Sequence, residues 1–297
     1  MAQFEGGLPC WKRFLLGMYY YGTLPYRRMR SIDLAHAGQA PIAILFYHRV
    51  ADHQMNAWTM PTQIFERQLR WLQKHFDLVS LGEAQNRLRS GSNHRPTVSI
   101  TFDDGYADNC HRALPLLIEQ GIPCTYFVST HHVLNGAPFP HDVARKAPLP
   151  PNTPREIQEL AEAGIEIGAH TRTHADLGRI ATRYELEEEV VTAKLELQQL
   201  TGHPVRYFAF PYGQHYNLTT AAIQLAFDAG YQGVCSAYGG FNFPGDDPFH
   251  LQRIHADPDH VRFRNWLTVD PRKLAATRRF TYTLSAVPLP QATSAPT

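Results

Sequence analysis

Short apolar runs alternate along the chain with longer stretches in which apolar residues recur every three or four positions. The short runs, predicted as buried strands, lie at 42–47, 98–102, 126–128, 165–169, 208–210, 234–236 and 250–254. The longer stretches predict amphipathic helices, for example from Thr62 and from Asn217 to Gly230. Strands that alternate with helices of about ten or more residues indicate βα units and a parallel sheet. About seven such units favour a closed or nearly closed barrel.

Two predicted helices begin with capping boxes, at Thr153–Glu156 and at Thr182–Glu185. The second helix should run to about Leu200, and its dense charge is interpreted as an outward face. That charge comes from Glu185, Glu187, Glu188, Glu189, Lys194 and Glu196. The stretch 131–152 is rich in proline and histidine and is too long for a simple connector. It either roofs the site and contacts substrate or forms a solvent-exposed excursion.

The chain divides into a predicted barrel domain, 41–270, and two flanking segments. Segment 1–40 holds an aromatic-rich apolar stretch after Lys12 and Arg13, too short for the roughly 20 apolar residues that span a bilayer. It should be helical, either packed on the barrel or making peripheral membrane contact through residues 11–30. Segment 271–297 is basic and then rich in Ser, Pro and Ala, so it is predicted to be a disordered tail. The expected location is the cytoplasm, at the inner face of the membrane.

The net charge and the cysteines limit the classes of function that the chain could have. The 297 residues carry a formal net charge of +1, which does not provide the basic footprint expected of a nucleic-acid-binding protein. Four cysteines without a CxxC motif favour free thiols in a reducing compartment, with a Cys110–Cys124 bridge as the alternative. Nothing in the sequence indicates an oligomeric state.

The candidate chemistry lies in two groups of polar residues that directly follow predicted strands. Asp103 and Asp104 end one strand, and His170 and His174 follow another. In a parallel barrel the carboxyl ends of the strands meet at one mouth, so these groups should converge there. One carboxylate and two imidazoles provide three metal ligands and leave a fourth position open, as in catalytic zinc sites. The other carboxylate can then serve as a general base, whereas the competing interpretation is a solvated turn with an incidental histidine pair.

These motifs, Thr101-Phe102-Asp103-Asp104-Gly105 and His170-Thr171-Arg172-Thr173-His174, resemble those of polysaccharide deacetylases of the NodB-homology type, carbohydrate esterase family four. The resemblance spans roughly residues 41–256. It implies an α/β fold, a distorted (β/α)7-type barrel. It also implies that Asp103 is the base, and that Asp104, His170 and His174 bind a divalent metal, Zn²⁺ first, with Co²⁺, Ni²⁺ or Mn²⁺ as alternatives. The implied reaction removes an acetyl group, expected to be N-acetyl, from an amino sugar of a polysaccharide or glycan precursor.

The third family motif is incomplete. Pro211, Tyr212 and Gly213 are present, but Ala209 stands where the family has an arginine that holds the catalytic aspartate. The resemblance implies that the backbone N–H of Tyr212 helps to stabilise the oxyanion. Pro211 and Tyr212 are therefore predicted substrate-binding residues.

Three further residues are assigned from looser matches. Arg253 is the candidate for the missing positive charge, and we group it with the substrate-binding residues. His255 is predicted to be the general acid, with His260 and the histidines of 131–152 as competitors. His48, at the end of the first strand, is predicted to face the pocket and bind substrate.

Two other functions remain as alternatives. The first is hydrolysis of a cyclic amide by the same fold, which the intact ligand set disfavours. The second is a catalytically silent carbohydrate-binding module, which the retained Asp103 disfavours, because a metal site that is only structural needs no spare carboxylate.

Overall fold

A single parallel sheet curls into a nearly closed barrel in the computed structural model, which describes residues 9–270 and 279–285. The strands are β1 (Ile42–Tyr47), β2 (Arg49–Val50), β3 (Thr59–Met60), β4 (Asp77–Leu78), β5 (Thr97–Phe102), β6 (Cys124–Val128), β7 (Glu166–Ala169), β8 (Tyr207–Ala209), β9 (Gly233–Cys235), β10 (His250–Leu251) and β11 (Arg253–His255). The helices are α1 (Cys10–His36), α2 (Thr62–His75), α3 (Leu81–Arg89), α4 (Ala113–Glu119), α5 (Thr130–Asn135), α6 (Pro140–Ala144), α7 (Pro154–Glu162), α8 (Arg183–Glu187), α9 (Ala193–Thr201), α10 (Thr220–Asp228) and α11 (His260–Leu267).

The barrel closes through one bent segment near its end. The strand order is β10-β9-β8-β7-β6-β5-β1-β11, β4 pairs only with β5, and β2 and β3 form a separate two-stranded sheet. β10 and β11 are separated by Gln252 alone, yet β10 pairs with β9 and β11 pairs with β1. Segment 250–255 is therefore a single interrupted strand that joins both edges of the sheet. Counted in this way the barrel has seven strands, which confirms the predicted (β/α)7-type fold.

The barrel strands are buried on both faces, as continuous apolar runs predict for parallel sheets. Leu45, Ile100 and Phe102 belong to the larger core, which packs beneath the surrounding helices. Ile44 and Phe127 belong to a smaller cluster that includes residues of five barrel strands. Both faces of each strand thus hold the sheet in register, for example with Ile44 opposite Ser99 of β5.

The charged helix predicted at 182–200 exists, but the interpretation of all its charge as an outward face was wrong. α8 passes through a π-helical turn, Glu188–Thr192, into α9. Glu189 and Lys194 are buried. Nζ of Lys194 donates a hydrogen bond to the carbonyl oxygen of Ala229 at 2.8 Å and lies 4.4 Å from the ring centre of Tyr231. The predicted start of the next helix was also early, since Thr219 caps α10.

Segment 1–40 contains the predicted helix, whereas the described part of the tail is more ordered than predicted. α1 packs against α11, and Arg27 of α1 is buried there. In the described part of the chain no helix combines the length and apolar character needed to cross a bilayer. Of the predicted disordered tail, residues 279–285 pack on the barrel through Phe280, Tyr282 and Leu284, an alternating apolar pattern that composition concealed. The remainder of that prediction lies outside the described residues. All four cysteines are free.

Candidate active site

Acidic and imidazole side chains meet at the carboxyl ends of β5 and β7. Asp103 and Asp104 directly follow β5, and His170 directly follows β7. Oδ1 of Asp104 lies 3.2 Å from Nε2 of His174 and 3.5 Å from Nε2 of His170. The three ligand atoms lie within 4.8 Å of one another. Ligands about 2.0–2.2 Å from one tetrahedral zinc ion are roughly 3.3 Å apart, so these spacings suit a shared ion.

The chemistry of these atoms also fits a metal. Oδ1 of Asp104 is buried, and it accepts no hydrogen bond of normal geometry from residues 9–270 and 279–285 although two imidazoles face it. Burial would raise the pKa of Asp104, but His170 and His174 outweigh it and hold that pKa well below its ordinary value. Nδ1 of His170 lies 2.8 Å from the carbonyl oxygen of Ala209, which directs its proton there and leaves the Nε2 lone pair free. A carboxylate with two imidazoles suits zinc, cobalt, nickel or manganese.

The backbone around this cluster is locally strained. Asp104, Thr171, His174 and Tyr212 have φ angles of 75°, 61°, 61° and 60°. This left-handed region is uncommon for residues other than glycine and costs about 1–3 kcal/mol each. Four of the six such non-glycine residues in the described chain lie at this mouth. The surrounding structure must therefore hold the loops that aim the ligands.

Glu189 supplies part of that support, and sequence reasoning missed it. Its Oε2 accepts hydrogen bonds from the backbone N–H groups of Arg172 at 2.9 Å and Thr173 at 2.8 Å. Its Oε1 accepts the Thr173 hydroxyl at 2.6 Å. The π-helical turn contains Glu189, and such turns often occur at functional sites. In the sequence, nothing distinguishes Glu189 from the other glutamates of this charged helix, so its contact with the ligand loop could not be predicted.

Asp103 has different partners from its neighbour. Nη1 and Nη2 of Arg253 donate to its two carboxylate oxygens at 2.6 and 2.8 Å. The guanidinium lies between the rings of Phe46 and Phe127, with centres 4.9 and 5.2 Å away. Burial would raise the pKa of Asp103, but the charge of Arg253 outweighs it and lowers that pKa. A bidentate pair of this kind fixes the orientation of the carboxylate.

This pair corrects one assignment. Arg253 is fully buried behind Asp103 and does not line the cleft above it, so its grouping with the substrate-binding residues was wrong. Its position instead matches the other expectation, a positive charge in place of the arginine missing at Ala209. The guanidinium reaches Asp103 from β11, the strand segment that closes the barrel.

A cleft of about 160 Å³ opens above the cluster. Its walls combine carboxylates, imidazoles and aromatic rings, from Phe46, His48, Trp58, Asp103, Asp104, His141, His170, His174, Phe210, Tyr212, Gln214 and Ala237. A few convergent polar groups among apolar walls are typical of small-molecule sites. Trp58 was missed, because it lies in a loop without periodic pattern. Its ring centre is 4.8 Å from that of His48.

His48 and His255, the two histidines that were assigned from looser matches, differ in their position relative to the cleft. His48 lines the cleft, as predicted. His255 lies behind that wall, with ring centres 5.3 Å from Phe46 and 6.4 Å from His48. Burial lowers the pKa of His255 to about 4, so the ring is neutral near pH 7. A general acid should be protonated at the working pH, so its assignment to His255 stays a prediction.

The remaining predicted residues differ in whether they reach the cleft. Tyr212 lines the cleft with an exposed ring, whereas Pro211 is buried and does not line it, so the structure does not support the predicted substrate contact of Pro211. The stretch 131–152 forms α5 and α6, and His141 from α6 enters the cleft wall. This placement favours the roof interpretation over the solvent-exposed excursion. Nε2 of His141 lies 2.9 Å from the hydroxyl of Tyr106. His260, at the start of α11, does not line the cleft.

Comparison with known proteins gives consistent matches. The family model described as polysaccharide deacetylase matches residues 90–234, which include both ligand motifs. A curated relative, YxkH of Bacillus subtilis (strain 168), named as a polysaccharide deacetylase, is 26% identical over 222 residues, 74% of this chain and 72% of its own. A chitooligosaccharide deacetylase of Bradyrhizobium sp. (strain ANU 289) is 29% identical over 119 residues, 39% of this chain and 46% of its own.

The fold also matches a solved structure. IcaB from Ammonifex degensii is similar with a TM-score of 0.64 and 24% sequence identity. The match covers 76% of this chain and 97% of that one. At this level of identity the similarity supports the barrel fold and does not assign residues.

Proposed function

Because the chain belongs to the polysaccharide deacetylase family and is a hydrolase of that type, we propose that it removes an N-acetyl group from an amino sugar of a polysaccharide or glycan precursor. The proposed cofactor is a divalent metal, Zn²⁺ first, held by Asp104, His170 and His174. The name of the Bradyrhizobium relative, a chitooligosaccharide deacetylase, supports an N-acetylated amino sugar as the substrate class.

The residues of the chain divide the work of amide hydrolysis. The chemistry supplied by a metal at the three ligands is polarisation of the acyl oxygen and a lowered pKa for a water molecule. Asp103, ionised and not shared with the ligand set, takes a proton from the attacking water. Arg253 keeps that carboxylate oriented through its two hydrogen bonds. The C–N bond then breaks, acetate leaves, and the leaving amine takes up a proton; the assignment of that acid to His255 stays a prediction, because its ring is neutral near pH 7 and does not line the cleft.

One observation carries the proposal. Oδ1 of Asp104 is buried, has no hydrogen-bond partner of normal geometry in the described part of the chain, and faces two imidazole nitrogens at 3.2 and 3.5 Å. An unpaired buried carboxylate oxygen is unfavourable unless a cation satisfies it.

The first test measures the metal itself. The purified protein should contain about one transition-metal ion per chain, and Asp104→Ala should lose it. Asp103→Asn is the matched control, since it alters the neighbouring carboxylate but leaves the three ligands intact, and it should retain the metal. Equal metal content in the wild type and in Asp104→Ala would contradict the ligand assignment.

The second test measures the reaction on N-acetylated glycan precursors, with acetate as the readout. A chelator should stop acetate release and added Zn²⁺ should restore it. Asp103→Asn should lower the rate about 10²–10⁴-fold while keeping the metal. Glycan binding without any acetate release would favour the silent module, and release of an opened cyclic amide instead of acetate would favour the other hydrolase.

A further inference from the structure

The outer face of α1 exposes an unusual amount of apolar surface. Eight large apolar side chains of this one helix are between 47% and 66% exposed: Trp11, Phe14, Leu15, Met18, Tyr21, Tyr26, Met29 and Ile32. They are nearly half of the exposed large apolar side chains in the described part of the chain. Contiguous apolar surface of this kind marks a site of interaction with a protein or a membrane.

The helix arranges these residues as a strip with basic borders. At 3.6 residues per turn the eight positions fall within an arc of about 140°. Lys12 and Arg30 lie beyond one border of this strip, and Arg28 lies beyond the other. Asp33, the single acidic residue of α1, and His36 fall inside the same arc and are exposed, in the last two turns of the helix. An apolar face bordered by Lys and Arg, with aromatic residues in it, is typical of helices that lie in a membrane interface.

The opposite side of α1 is fixed to the barrel. Arg27 is buried, and its Nη2 donates to Oδ1 of Asn265 at 2.8 Å and to Oδ2 of Asp270 at 3.2 Å. Arg13 pairs with Asp259 at 2.8 Å. These contacts prevent α1 from rolling its apolar strip inward. They also attach the first turns of the helix next to Asp259, four residues beyond His255 at the mouth of the barrel.

We propose that the strip docks on the surface of an anionic lipid bilayer, with α1 lying in the headgroup region. Charge complementarity favours an anionic bilayer as the partner, because Lys12, Arg28 and Arg30 would face lipid phosphates beside the inserted apolar side chains. A second copy of the chain fits less well. Packing two such strips together would set basic borders against each other, and Gly22 and Pro25 in the middle of the strip offer no side chain of the kind that fills a helical seam.

The test is co-sedimentation of the full chain with vesicles of phosphatidylcholine, with and without phosphatidylglycerol. The wild type should bind anionic vesicles, and binding should weaken with salt. Lys12→Gln/Arg28→Gln/Arg30→Gln should weaken binding to anionic vesicles on the order of 100-fold, because each basic residue near the surface contributes about 1 kcal/mol. Phe14→Gln/Met18→Gln/Met29→Gln should weaken it at least about tenfold by removing apolar contact.

A matched control changes exposed apolar residues elsewhere. Tyr184 and Leu195 are 71% and 57% exposed on α8 and α9, and Tyr184→Gln/Leu195→Gln should bind vesicles like the wild type. Circular dichroism should show the same helix content in every variant. Trp11 gives an independent readout, since its fluorescence should shift to the blue on vesicles and Trp11→Phe should remove that shift.

Three results would overturn the proposal. Failure of the folded wild type to bind anionic vesicles is the first. Equal binding by the apolar variant and the wild type is the second. The third is a concentration-dependent dimer in sedimentation equilibrium that the apolar variant abolishes, without vesicle binding, which would assign the strip to a second copy. Activity on a soluble substrate should not change in these variants, so loss of docking and failure of the proposed reaction remain distinguishable.

Discussion

The mouth of the barrel and the outer face of α1 depart from the usual distribution of side chains in opposite ways. At the mouth, the charged groups of Asp103, Asp104 and Arg253 are buried. On α1, large apolar side chains such as Trp11 and Phe14 are exposed. Buried polar groups and large exposed apolar patches are the informative exceptions in a soluble protein, because each is unfavourable without a partner.

The difference lies in where the partner comes from. Arg253 satisfies Asp103 within the chain, whereas Oδ1 of Asp104 faces two imidazoles, accepts no hydrogen bond of normal geometry from the described residues, and is suited to a metal. The buried charges at the mouth are therefore partly paired within the chain, and specific, directional contacts hold them in place. The strip on α1 is apolar, and the contacts that apolar surface makes are not directional. Only a large surface outside the described chain could cover the strip. The mouth should respond to substitution through folding and chemistry, and the strip through association alone.

Replacement of Arg253 should have the largest effect of all. Arg253→Gln leaves Asp103 buried without its counter-charge, which should lower the free energy of unfolding by about 3–5 kcal/mol. Acetate release should also fall sharply, because the base loses its orientation. Urea unfolding of the chelator-treated protein measures the first effect. Asp103→Asn/Arg253→Gln should regain much of the stability but no activity, and an equally unstable double variant would show that the ion pair is not the cause.

The second largest effect is expected in the pH dependence of stability, which a substitution at the mouth should change and a substitution on α1 should not. The folded pKa of His255 is about 4, below the value near 6.5 expected of an unfolded chain. Between these values the unfolded state binds more protons, so stability is full above about pH 6.5 and falls toward pH 4, by up to about 3 kcal/mol. His255→Phe should show a shallower fall in urea unfolding across this range. Phe14→Gln on α1 is the control and should keep the wild-type slope; equal slopes in all three would contradict the prediction.

A smaller effect is expected from Glu189, which acts on the ligands through the loop. Glu189→Gln loses the carboxylate that accepts the N–H groups of Arg172 and Thr173, so Zn²⁺ affinity should fall about 10-fold. Competition with a chromogenic chelator measures the affinity. Glu188→Gln is the matched control, because Glu188 is half-buried on the same π-helical turn and contacts the side chain of Arg172, at 3.5 Å, rather than the backbone of the ligand loop. Similar losses of Zn²⁺ affinity in both variants would contradict the role assigned to Glu189.

The smallest effect should come from the strip itself. Phe14→Gln should change the free energy of unfolding by less than about 0.5 kcal/mol, since its ring is already exposed to water. Phe65→Ala, in the core beneath α2, should lower it by about 3–5 kcal/mol. Thermal unfolding of both variants makes the comparison, and a destabilisation by Phe14→Gln of the same size would mean that its ring is part of the fold.

Much of the fold could be predicted because its signals are local. Continuous apolar runs indicated the barrel strands, and capping boxes placed the starts of α7 and α8. The ligand set could be predicted for the same reason, since His170 and His174 are four residues apart and Asp103 and Asp104 are adjacent. The contact between Arg253 and Asp103 spans 150 positions, and only the closure of the barrel makes it. Trp58 and Glu189 had no periodic or motif signal at all.

The order of apolar and polar residues by itself determined that strands and helices alternate and that carboxylates and imidazoles follow particular strands. It also placed apolar residues on one side of α1, because helical spacing is a local property. Only the tertiary structure decided that Arg253 is the partner of Asp103, and which side of α1 faces outward. Those outcomes depend on burial and on contacts between distant segments, and neither exists until the sheet has closed.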